Sequence, residues 1–137
     1  MLAANTNSPV QAYQSIDLQS RVETASPHRL IQLMMERALA RIGLASKQVQ
    51  EGNMHDKGNN ISGAISIISG LQASLNHKGD ARIAENFDAL YSYMTRRLLE
   101  ANLQNDSAKL DEVAGLLREL KEAWDAIADG TEGEMHA

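Results

Sequence analysis

SAKLDEVAGLLRELKEAWDAI, residues 107–127, contains the clearest periodicity in the chain. Leu110, Val113, Leu117, Leu120, Trp124 and Ile127 recur at alternating steps of three and four, with charge between them. That is the apolar seam of an amphipathic helix facing other helices. Upstream, Asn105-Asp106 interrupts the pattern and Asp106 or Ser107 supplies an N-cap. A second stripe precedes it, through Ile83, Phe87, Leu90, Met94, Leu98 and Ala101, opened by Asp80. A third runs through Ile61, Ala64 or Ile65, Ile68, Leu71 and Leu75, opened by Asn53 with Asp56 as an approximate capping box. The first runs through Ile31, Met35, Ala38, Ile42, Ala45 and Val49, from Ser26-Pro27 to Gly52. Serine suits the N-cap, proline the first helical position and glycine the C-terminal stop.

Four helices at about 26–52, 54–77, 80–105 and 107–129 follow. The links are short, so consecutive helices must run antiparallel. The expected fold is all-α: an antiparallel up-down four-helix bundle at 26–129, with an N-terminal arm at 1–25 and a disordered tail at 130–137. No clusters of β-branched and aromatic residues separated by turn signals argue for a sheet.

Composition narrows the function. There is no cysteine, which excludes disulfides, zinc-thiolate sites and thiol nucleophiles. The net charge of −5 argues against nucleic acid. Residues 1–79 hold seven Lys/Arg and five Asp/Glu, whereas 80–129 hold six and eleven. This is ordinary solvation, or an acidic half that steers a basic partner. The N-terminus MLAANTNSPVQAYQ has neither a basic nor an apolar signal region, so a cytoplasmic location is expected. No Glu-x-x-His occurs for a di-iron bundle, and no phosphate loop or nucleophile elbow. His28, His55, His77 and His136 fall at helix ends or in the tail and read as capping or solvated groups. No catalytic residue, cofactor or metal ligand is expected.

The informative residues are those a bundle core does not need. Leu30, Leu33, Ala40 and Leu44 form a second strip on the first helix, interrupted by Arg37. Leu99 and Leu103 point away from the core stripe of the third helix, with Tyr93 on a flank. From Gly58 to His77 there is no Asp, Glu, Lys or Arg, yet the run is too polar for a membrane span. Opposite its core stripe lie Ser62, Gly63, Ser66, Gly70, Ala73 and Ser74. Glycines inside a helix cost about 1 kcal/mol each against alanine. Either a partner helix lies across this small-residue face, or it is a weak helix covered by the arm. In the arm, Tyr13, Ile16, Leu18 and Val22 either pack on the bundle or wait for a partner.

Several stretches resemble the flagellar secretion chaperone FliS family: Ala12-Tyr13-Gln14, Val22 to Pro27 (VETASP), Leu90 to Asn102 (LYSYMTRRLLEAN), Leu116 to Leu120 (LLREL) and Ala123-Trp124. Their order and spacing cover residues 12–127. Met35-Glu36-Arg37-Ala38 departs from the family's Tyr-Asp/Glu-x-Gly-like stretch, so no role of that tyrosine or glycine carries over. The resemblance implies a bacterial cytosolic chaperone on an antiparallel four-helix bundle. It would bind the disordered C-terminal region of flagellin, block its premature polymerisation and assist its delivery to the flagellar type III export apparatus. It also implies contacts with the export gate and with an anti-sigma factor or other flagellar regulator, and an N-terminal segment carrying Tyr13 that covers part of the apolar surface. A disordered guest must offset its ordering entropy with a large apolar contact, which helix-in-groove docking supplies. The expected guest-binding residues are Tyr13 and Ile16 of the arm, Gly63, Ser66, Ile67, Gly70 and Ser74 of the second helix, and Ala89, Tyr93, Arg96, Leu99 and Leu103 of the third. Arg96 either snorkels over apolar surface to a carboxylate or is simply solvated. Spare apolar strips would also let the empty protein self-associate. A structural or regulatory bundle with a different partner, and an enzyme or metal protein on the same scaffold, are the competing readings of the residues alone.

Overall fold

A computed structural model describes residues 25–76, 78–127 and 136. The described residues form four helices: α1 (Pro27–Glu51), α2 (Met54–Ala73), α3 (Ala81–Gln104) and α4 (Ser107–Asp125). α1 packs on α2 and α4, and α3 on α2 and α4, which closes a ring. Together with the short links this is the expected antiparallel bundle. No strand occurs among the described residues, apart from a single bridge between Leu75 and His136. No helix among them is long and apolar enough to cross a membrane. The expected arm at 1–25 lies outside the described residues but for Ala25, and the tail outside them but for His136.

The helix ends follow their capping chemistry. Ser26 Oγ accepts the Arg29 amide at 3.1 Å, and Gly52 closes α1 in the left-handed region at φ 76°. Asn53 Oδ1 accepts the Asp56 amide at 3.3 Å while its Nδ2 donates to Asp56 Oδ2 at 2.9 Å, a side-chain version of the capping box. Asp80 and Asp106 cap α3 and α4 through the amides of Arg82 and Ala108. Asn105 holds the left-handed C-cap of α3 at φ 53°, a conformation asparagine tolerates.

The core contains the expected residues of α1 and α4, with Val49 and Ile127 half-buried at its edge. Two expectations change. On α3 the buried line runs through Ala84, Tyr91, Met94, Leu98 and Ala101, and Ile83, Phe87 and Leu90 are only half-buried. Tyr91 can go inside because its hydroxyl shares a 3.0 Å hydrogen bond with His136 Nε2. α2 ends at Ala73 instead of 77: Ser74 caps it, and the backbone of Leu75 pairs with that of His136 rather than extending the helix.

Two of the histidines, His28 and His136, also depart from expectation. His28 is buried, with its ring stacked on Trp124 at 4.8 Å between centroids. His28 Nε2 donates to the Trp124 carbonyl at 3.0 Å, and Trp124 Nε1 donates to the His28 carbonyl at 2.9 Å. This reciprocal pair ties the start of α1 to the end of α4. His136 is fully buried against the edge of the Trp124 ring.

A candidate docking groove between the first two helices

Close approach of α1 and α2 begins at two glycines. A Cβ built on Gly63 would lie 2.5 Å from Arg41 Nη1, so the Arg41 side chain crosses the helix where a side chain is missing. There its guanidinium donates to Asn60 Oδ1 at 3.4 Å. A Cβ on Gly70 would lie 3.0 Å from Met34 Cε. Part of the small-residue face of α2 is therefore taken up inside the molecule, by α1.

Beside these contacts a groove of about 410 Å³ opens between α1 and α2. Leu30, Leu33, Met34 and Ile67 give it apolar walls, Gly63 and Ser66 a small-residue side, and Arg37 and Arg41 cationic edges. Among the described residues Arg37 has no carboxylate partner. Glu36, its neighbour, faces Arg29 at 3.2 Å and Lys121 at 3.9 Å instead. Such a groove suits the apolar face of a guest helix, and its guanidinium groups can meet carboxylates at the edge of that face. Among the described residues its lining includes no acid and no histidine. Among the described residues no cluster of three or more His, Cys, Asp or Glu could hold a metal.

The expected site residues fall into separate places. Gly63, Ser66 and Ile67 line the groove. Gly70 lies under Met34, outside the lining, and the Ser74 hydroxyl is engaged at the end of α2, donating to the Leu71 carbonyl at 2.8 Å. The α3 residues do not line this groove. Leu99 is 54% exposed and Leu103 84%, and Ala89 and Arg96 are exposed as well. Tyr93 faces α4, where its hydroxyl donates to Glu112 Oε2 at 2.5 Å. Arg96 and Arg97 each hold a guanidinium carbon 5.8 Å from the Tyr93 ring centre. The Tyr93 hydroxyl and then Arg97 hold the Glu112 carboxyl below its usual range, and the same hydrogen bond raises the Tyr93 hydroxyl. Tyr13 and Ile16 lie outside the described residues. Met34 and Arg41 escaped the sequence reading. Their signal was the pair of glycines on α2, whose missing side chains α1 fills.

The family model for the flagellar protein FliS matches residues 9–131. The chain belongs to that family. A flagellar secretion chaperone of Pseudomonas aeruginosa is 42% identical over 119 residues, which is 87% of this chain and 94% of that protein. The Salmonella typhimurium flagellar secretion chaperone is 41% identical over 124 residues, 90% of this chain and 92% of that one. The similarity extends to Bacillus subtilis, whose flagellar secretion chaperone is 32% identical over 128 residues, 93% of this chain and 92% of that one. The family makes this chain a chaperone of flagellum biogenesis, and the family resemblance carried by Tyr13, Pro27, Leu90–Asn102 and Trp124 is borne out as membership.

Proposed function

We propose that the protein is a cytosolic export chaperone that binds the disordered C-terminal region of flagellin, prevents its premature polymerisation and assists its delivery to the flagellar type III export apparatus. The observation that carries this reading is an apolar groove whose guanidinium edges have no carboxylate partner among the described residues, on a bundle of the FliS family. The exposed leucines of α3 support a guest that reaches beyond the groove. A guest of this kind gains helix and burial together, so its ordering cost falls at the moment of docking. The binding surface is assigned to Gly63, Ser66, Ile67, Gly70 and Ser74 with Ala89, Tyr93, Arg96, Leu99 and Leu103, joined by Tyr13 and Ile16 of the arm. Leu30, Met34, Arg37 and Arg41 are added to it, because they share the groove with Gly63 and Ser66. Contacts with the export gate and with an anti-sigma factor or other flagellar regulator belong to the same reading, as does self-association of the empty protein through its apolar strips.

Titration calorimetry of the full chain with a synthetic flagellin C-terminal peptide tests it. The expected result is one-to-one binding at roughly micromolar affinity or tighter. Absence of binding at peptide concentrations well above that range overturns the proposal.

A further inference from the structure

The second residue from the C-terminus is among the most enclosed in the molecule. His136 is fully buried although it sits far from α4 along the chain. Its ring meets the edge of the Trp124 ring at 5.3 Å and lies 5.9 Å from that of Tyr91, and its backbone pairs with Leu75 where α2 stops. Leu75, Tyr91 and Trp124 thus form a seat at one end of the bundle, made from α3, α4 and the end of α2.

The seat is built for a neutral ring. Nε2 has the Tyr91 hydroxyl at 3.0 Å, while Nδ1 is buried with no partner. A protonated imidazole would carry an N–H at both nitrogens and leave one donor and a charge unsatisfied in an apolar environment. Among the described residues, the groups that meet the ring or its backbone are the Tyr91 hydroxyl from α3, the Trp124 indole from α4 and Leu75 from the end of α2, and none of them is charged. α1 places His28 on another side of the Trp124 ring. Asp125, next to Trp124 in the chain, is engaged by Lys121 and Gln32.

We infer that His136 is a C-terminal latch that closes this end of the bundle when its ring is neutral and leaves the seat when it is protonated. Burial alone lowers its pKa from 6.5 to about 4. An undocked His136 titrates near its ordinary value, so docking is at full strength above pH 6.5 and weakens as pH falls from there toward 4. Between about pH 7.5 and about pH 5 the docking constant should drop by about 30-fold. Undocking uncovers Leu75, Tyr91 and Trp124, a small apolar face separate from the α1–α2 groove.

Trp124 is the only tryptophan, so it reports on its own seat. The experiment is acrylamide quenching of the full-length protein at both pH values, with far-UV circular dichroism recorded alongside. Wild type should be shielded at the higher pH and several-fold more quenched at the lower, with helicity retained. His136→Ala should already be quenched at the higher pH. His136→Phe, which fills the seat and cannot protonate, should stay shielded at both. Overturning results are pH-independent quenching in wild type, a shielded His136→Ala, or a His136→Phe variant that opens with acid as wild type does.

Discussion

Gly43 and Gly115 lie inside α1 and α4 with open space where a Cβ would begin, whereas Gly63 has Arg41 in that space. The three positions separate helix propensity from packing. Gly43→Ala and Gly115→Ala should each raise stability by about 1 kcal/mol, since nothing has to move. Gly63→Ala gains the same propensity but displaces Arg41 from Asn60, so its net gain should be smaller and its groove altered. Urea unfolding of the three variants checks the order. Equal gains would mean that the Arg41 crossing contributes nothing. The helical face of Gly63 was legible in the sequence as a stripe of small residues. What fills it was not, because spacing along one helix carries no information about which side chain of another helix crosses over it.

Between elements, two polar clasps do what the heptads do not. Lys57 is buried at the start of α2, where Nζ donates to the Asn102 carbonyl at 3.0 Å and to Asn105 Oδ1 at 2.6 Å. It thereby places a cation on the negative end of the α3 dipole and satisfies a terminal carbonyl. Lys57→Met keeps the stem and removes the donors, and should cost about 1–3 kcal/mol in chemical denaturation. On the α3–α4 seam, Arg97 pairs with Glu112 at 2.7 Å and with Glu100 at 3.0 Å, and Lys109 reaches Glu100 at 3.3 Å. Glu100 and Glu112 are both held below the usual carboxylate range, Glu100 first by Lys109 and Glu112 first by Tyr93. Groups with lowered carboxylate pKa stabilise the fold above their ordinary value of 4.5 and lose that contribution as pH falls through the lowered one. Glu112→Gln should therefore flatten the loss of stability between about pH 5 and pH 3, read by urea unfolding at each pH. The element stripes themselves were readable because apolar spacing of three and four survives any partner. The α3 register differs at Tyr91 because a tyrosine goes fully inside only when its hydroxyl is met, and its partner, His136, lies 45 residues further along the chain.

For the whole molecule, the groove and the α3 strip raise a question that neither answers alone. Ser66 belongs to the α1–α2 groove, whereas Leu103 stands out from α3 and takes no part in the groove lining. A guest confined to one helix-length would engage one surface, while a guest that wraps the bundle in extended form would engage both. Ser66→Arg puts bulk and charge into the groove from an exposed position, and Leu103→Asp removes an exposed apolar contact, so neither should disturb the core. Each should weaken flagellin peptide binding by about tenfold if both surfaces are used, equivalent to about 1.4 kcal/mol. Because Leu103 lies outside the groove lining to which Ser66 belongs, their effects should multiply in the double variant. Calorimetry on the two single variants and the double variant decides the matter. A single variant that binds as wild type does removes its surface from the guest's path, and a double variant no weaker than the worse single shows that the guest uses the two surfaces as alternatives rather than together.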